Sequence, residues 1–203
     1  DFLRMSAALT AAGMSPSLFA ATKEQFTIYG APAMPSVTIA VAAAQGKLAK
    51  QADVALEIWR SPDQLRAGVA SGQFKVMMSP SNVGVNLRNQ GQQVGMVNIL
   101  TNGITQLMCK STPITSPQEL VGKKILVPFK NDMPDIVLQA LLKKLNIDIN
   151  KVDITYAATP TEAIGLFLLK DFHAAILPEP MASAVVLKAK IVGTEIVRGF
   201  DLV

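Results

Sequence analysis

Val54-Ala55-Leu56-Glu57-Ile58-Trp59-Arg60-Ser61-Pro62-Asp63-Gln64 returns in altered form as Val152-Asp153-Ile154-Thr155-Tyr156-Ala157-Ala158-Thr159-Pro160-Thr161-Glu162. Residue 61 falls on residue 159, a shift of 98 with no gap. Each stretch opens on an alternating run with the period of a half-buried strand. Each closes on a hydroxyl, a proline and, two residues on, Gln or Glu. The hydroxyl accepts from an otherwise unpaired N–H, the proline has no N–H to leave unpaired, and the third residue reaches back. Strand and helix start are thus written twice. At the same shift Phe74 falls on Phe172 and Pro80 on Pro178. One residue out of step, Ala33-Met34-Pro35-Ser36 falls on Asp132-Met133-Pro134-Asp135. A period near a hundred exceeds the roughly 20–50 residues of solenoid repeats. It predicts two copies of one α/β lobe with a cleft between them.

The same grammar extends outward. Ser116-Pro117-Gln118-Glu119 predicts a third helix start, and Ser36 to Gln45 a further helix. Strands are expected at Phe26 to Tyr29, Lys75 to Met78, Gly95 to Leu100, Ile104 to Cys109, Lys124 to Val127 and Ala174 to Leu177. Strands alternating with helices predict mostly parallel sheets flanked by helices. The expected layout is a segment at 1–25, a first lobe over 26–103 and a second lobe over 104–200, with the crossover between Leu100 and Ser116.

Composition narrows the function. The 203 residues are 50% hydrophobic and 17% charged, a globular profile. A net charge of +4, with Lys and Arg dispersed, gives no basic stripe for nucleic acid. Cys109 is the only cysteine, so neither an intrachain disulfide nor a cysteine-rich zinc site is expected. His173 is the only histidine, which argues against a histidine metal cage. No G-x-x-x-x-G-K and no strand-borne G-x-G-x-x-G occurs, and no catalytic constellation is visible. We therefore expect no cofactor and no metal.

Met5 to Ala21 is uncharged and rich in Ala, Ser, Met and Leu, with Pro16 inside it. It is too short and weakly apolar for a spanning helix. It reads as the apolar region of an export signal with small residues at Ala20-Ala21, the alternative being an Ala-rich helix packed on the domain.

In open α/β sheets ligands bind beyond the carboxyl ends of strands, at helix starts. In the first lobe that rule selects Ala33, Met34 and Ser36, then Trp59, then Ser79, Ser81 and Asn82; Asn102 lies in the crossover. In the second it selects Lys130 and Asn131, then Thr159, then Glu179. Ser79, Ser81 and Asn82 suit an oxyanion held without a formal positive charge, or the serines cap their own helix, and one hydroxyl can do both. Glu179, between two prolines, suits a ligand ammonium or hydroxyl, or is a solvated or interlobe charge. Asp132 is read as the cap of the helix containing Pro134. Trp59 either stacks on a ligand or packs in the core.

Ser116-Pro117-Gln118-Glu119-Leu120-Val121-Gly122-Lys123-Lys124-Ile125-Leu126-Val127 resembles the S-x-x-D/E-L-x-G-K-K-I-A-V segment of bacterial ABC-importer substrate-binding proteins. The resemblance is to the group that takes nitrate, sulfonates, taurine or pyrimidine precursors. Thr159 to Ala163 resembles its second-lobe helix start, and Ile176-Leu177-Pro178-Glu179-Pro180 its E-P loop. Asp1-Phe2-Leu3-Arg4 resembles the second half of a twin-arginine signal whose arginines would precede residue 1. The resemblance, from about Phe26 onward, implies a type II periplasmic-binding-protein fold closing on a small anionic, sulfonate- or nitrate-like or heterocyclic ligand. It implies a periplasmic location and delivery to an ABC transporter permease, with no catalysis. Members continue with strands that finish the first lobe, so the C-terminal part of that lobe is expected from outside these residues. An enzyme on the same fold, as in the pyrimidine-precursor synthases, is the alternative, although Cys109 alone does not make their cysteine-rich motif. A regulatory effector domain as in LysR-type regulators is the other, but nothing here resembles a helix-turn-helix.

Overall fold

The computed structural model describes residues 23–202. Met5 to Ala21 and the twin-arginine-like start lie outside the described residues.

The first sheet joins β1 (Glu24–Gly30), β2 (Ala52–Ile58) and β3 (Val76–Met77), all parallel, in the order β2-β1-β3. Helices α1 (Pro35–Gln45) and α2 (Lys47–Gln51) connect β1 to β2, and α3 (Pro62–Ala70) connects β2 to β3. Then α4 (Ser81–Asn89) follows. The start of α3 forms as its sequence dictates: Ser61 Oγ accepts from Gln64 N at 3.2 Å, and Gln64 Oε1 accepts from Arg60 N at 2.7 Å. Behind that cap Leu65 and Val69 of α3 pack with Tyr29, Trp59, Phe74, Val83 and Leu87. Tyr29 stacks on Phe74 with centroids 3.6 Å apart. The backbone of α3 comes so close to this pair that a Cβ at Gly68 would lie 2.5 Å from the Phe74 ring, so no larger residue fits without displacement.

The second sheet has the order β6-β5-β7-β4-β8. Its strands are β4 (Thr105–Lys110), β5 (Lys124–Pro128), β6 (Asp153–Ala157), β7 (Ala174–Pro178) and β8 (Ile196–Asp201). Between them run α5 (Met133–Lys144), α6 (Pro160–Leu169) and α7 (Met181–Ile191). The strand period of two sorts the core into two layers. Leu107, Cys109, Ile125, Val127, Ala174 and Ile176 face α5, meeting Leu138 and Leu142. Met108, Leu126, Ala175 and Leu177 face the other way, meeting Phe167 of α6 and Val185 of α7. Strands buried on both faces are why β5 and β7 read as unbroken apolar runs. The repeated cap is repeated in space: Thr159 Oγ accepts from Glu162 N at 3.2 Å, and Glu162 Oε2 accepts from Ala158 N at 2.8 Å.

The α/β class with parallel-dominated sheets is as read from the sequence. Three details differ. First, β4 runs antiparallel to both β7 and β8, because the chain enters the second sheet from the crossover against the direction of its neighbours. Second, Pro117–Leu120 is a single 3-10 turn, with Ser116 Oγ donating to Glu119 Oε1 at 3.0 Å rather than accepting from a backbone N–H. Gly122 at φ +74° turns the chain straight into β5. Third, Gly95 to Leu100 is not a strand. A strand's backbone groups need partners alongside, and among the described residues none pairs with this stretch; Val97 is 100% exposed.

Candidate functional site

The carboxyl ends of β1, β2 and β3 and those of β5, β6 and β7 face one junction between the lobes. Its centre is Asp132, the N-cap of α5, whose side chain is only 3% exposed. Asp132 Oδ1 accepts from Met133 N at 2.9 Å, the cap bond. It also accepts from Nδ2 of Asn82, on α4 of the other lobe, at 3.3 Å. Arg66 of α3 brings Nη2 to 3.3 Å from Asp132 Oδ2, while its Nη1 holds Asp63 Oδ1 at 3.0 Å. One buried carboxylate thus ties α3 and α4 of the first lobe to the second lobe. Such a charge is tolerable because three donors surround it. The lobes also join through backbone, Met34 N donating to Glu179 O at 2.9 Å.

Beneath Asp132 lies a second buried carboxylate. Asp135 accepts from Asn131 N at 2.8 Å, Gln139 Nε2 at 2.9 Å and Tyr156 Oη at 3.0 Å. Burial, the hydrogen bond to Asp135 and its charge together push the Tyr156 phenol up to about 12, so Tyr156 remains a donor at neutral pH. Lys130 Nζ stands 5.3 Å from the Tyr156 ring centroid, within range of a cation–π contact.

The residues singled out in the sequence take these places. Asn82, Met34 and Glu179 make the interlobe bonds above. The Glu179 side chain is turned to its own lobe, Oε2 accepting from Ser183 N at 3.1 Å and Oε1 from Gln106 Nε2 at 3.4 Å. Asn131, with φ +60°, shapes the loop before α5, and Lys130 is exposed. Thr159 caps α6. Ser79 Oγ donates to Pro80 O at 3.2 Å, and Ser81 is exposed at the first position of α4. Ser36 is buried and donates to Ala31 O at 2.5 Å. Trp59 is buried in the first-lobe core and donates Nε1–H to Met78 O at 2.9 Å. Ala33 packs against that core, and Asn102 is exposed in the crossover.

Arg66 and the interlobe part of Asp132 went unread in the sequence. A signal existed: at the shift of 98, Arg66 falls on buried Ile164, so one copy carries a charge where the other carries core.

The two reactive side chains sit elsewhere. Cys109 is buried in the second sheet, and burial raises its thiol pKa, which leaves it protonated and inert. His173 opens β7, with Nδ1 accepting from Lys124 N at 3.1 Å, at the strand-start end opposite the junction. Among the described residues no three His, Cys, Asp or Glu are placed to hold a metal, and no helix is long and apolar enough to cross a membrane. The junction is built of charge-assisted hydrogen bonds across two lobes.

No curated protein matches this sequence significantly. Solved structures do match in fold. The periplasmic aliphatic sulphonate binding protein SsuA from Escherichia coli aligns at a TM-score of 0.65 and 17% identity, over 82% of this chain and 58% of that one. The ligand-binding component of an ABC-type import system from Staphylococcus aureus aligns at 0.68 and 14%, over 89% and 61%. The periplasmic nitrate-binding protein NrtA from Synechocystis PCC 6803 aligns at 0.66 and 11%, over 88% and 51%. The chain therefore spans between about half and three fifths of the length of these proteins, and the likeness establishes a type II periplasmic-binding-protein fold. The "NMT1/THI5 like" family model matches residues 34–176, from the loop after β1 into β7. That match takes in Arg66, Asn82 and Asp132, and the chain belongs to the NMT1/THI5-like family.

Proposed function

We propose that this protein is an extracytoplasmic solute-binding protein that encloses a small ligand between its lobes and delivers it to an ABC importer. The observation that carries the reading is the junction. Helices that follow strands of both lobes meet there, Asp132 of α5 accepting from Arg66 of α3 and Asn82 of α4. Closure of such lobes converts a weak contact on each face into burial on both, so affinity follows the population of the closed state. The ligand class we assign is a small anionic, sulfonate- or nitrate-like, or heterocyclic molecule. Ser79, Ser81, Asn82, Lys130, Asn131 and Thr159 are the side chains offered to it. Export to the periplasm through residues 1–25, with a permease as the partner, belongs to the same proposal. Enzymatic turnover has no support in the junction, since Cys109 and His173 both lie away from it.

Isothermal titration against nitrate, ethanesulfonate and 4-aminopyrimidine tests the binding role. One-to-one binding weakened by Arg66→Ala is expected. No binding by any of the three, or steady consumption of a bound compound, would refute it. Fusion of residues 1–25 to a reporter active only outside the cytoplasm tests export; a silent fusion counts against it.

A further inference from the structure

Asn82 carries an unused hydrogen-bonding atom. Its Nδ2 donates to Asp132 Oδ1 at 3.3 Å, while its Oδ1 is fully buried and has no partner. An asparagine amide can ordinarily be turned end for end to offer either a donor or an acceptor. Here it cannot, because a carboxylate only accepts, and turning the amide would set Asn82 Oδ1 against Asp132 Oδ1. Asp132 is itself held in place by Met133 N and Arg66. The free end of the amide is therefore locked as an acceptor inside the junction. A buried acceptor left unpaired is costly, and the cost is relieved by any guest that brings a donor.

We infer that Asn82 is a specificity-determining residue, and that the ligand presents an N–H or O–H group to its Oδ1. This rests on the junction being the ligand site. Within the ligand classes above it selects for donors. Nitrate and ionised alkanesulfonates offer only acceptors, so an oxyanion of either kind is not the group facing Asn82. A hydroxyl-, amino- or ring-N–H-bearing molecule is preferred. Discrimination on this basis is strong where a site is built to pair one polar group and the competitor lacks it.

Two matched probe pairs test it. Isethionate and ethanesulfonate share charge and shape and differ by one hydroxyl; 4-aminopyrimidine and 4-methylpyrimidine differ by NH2 against CH3. Titration of the full chain and of Asn82→Ala should show the donor-bearing member of a pair binding about tenfold tighter to the unmodified protein, with the preference lost in the variant. A thermal unfolding curve of Asn82→Ala confirms that the variant is folded. Equal affinities within each pair, or a preference that survives in a folded Asn82→Ala, overturn the inference while leaving the binding role intact. Failure of all four probes overturns the inference, and the binding role falls with it when nitrate fails as well.

Discussion

Asp132 does two jobs, and substitution separates them. It caps α5 through Met133 N and it pairs with Arg66 at 3.3 Å across the lobes. Asn is as good a cap as Asp, so Asp132→Asn keeps the first job and loses the charge, whereas Asp132→Ala loses both. A cap is worth about 1 kcal/mol. The ion pair lies between two regimes, because Asp132 is 3% exposed and Arg66 39%. Exposed pairs contribute about 0.2–1 kcal/mol, and breaking a fully buried one costs about 3–5. The exposed guanidinium keeps its hold on Asp63 at 3.0 Å after Asp132 is removed, so little of the buried-charge penalty applies. We expect Asp132→Asn to cost about 1 kcal/mol and Asp132→Ala about 2 kcal/mol. A double-mutant cycle of Asp132→Asn with Arg66→Ala, read by urea denaturation, should give a coupling of about 0.5–1 kcal/mol that shrinks as salt is raised. Additive effects at low salt would show that the lobes are not joined through this pair.

Three further outcomes are expected from the packing and the chemistry. Gly68→Ala should destabilise by about 1–3 kcal/mol in thermal or urea unfolding, because the new Cβ meets Phe74 at 2.5 Å and pushes it off Tyr29; a neutral result would refute that close approach. Tyr156 should ionise near pH 12 in an ultraviolet titration, and that step should vanish in Tyr156→Phe. Its folded pKa lies above the unfolded value of about 10, so its contribution to stability is whole below pH 10 and fades as pH climbs toward 12. Removing the buried Phe167 side chain with Phe167→Ala should cost about 3–5 kcal/mol in the same unfolding assay, and a cost under 1 would contradict the double-layered core.

The features legible in the sequence were local or repeated. The Ser61 and Thr159 caps are written within four residues, and both form as read. Strands such as β5 and β7 announce themselves because burial on both faces leaves no polar position. Ser116 opens only a 3-10 turn, since the residues beyond a cap decide helix length and Gly122 ends it at once. Gly95 to Leu100 has strand composition, but a strand needs a neighbour and composition cannot say whether one is there. The site was harder still. Loops beyond strand ends located the junction in general terms, yet the pairing of Arg66 and Asn82 with Asp132 joins residues 66 and 50 positions apart. Such pairs depend on how two lobes face each other, which no window of sequence records. The difference between Arg66 and Ile164 across the repeat was the one visible trace of it.

Function turns on whether the lobes close over a guest where Asp132 meets Arg66 and Asn82. Spin labels on Ala67→Cys of α3 and Ile136→Cys of α5, in a Cys109→Ala background, place one probe on each helix that carries the junction. Pulsed electron paramagnetic resonance should give a broad mixture of open and closed distances without ligand. A single shorter distance should replace it when a compound bound in titration is added. An unchanged distribution with that compound bound would contradict the account.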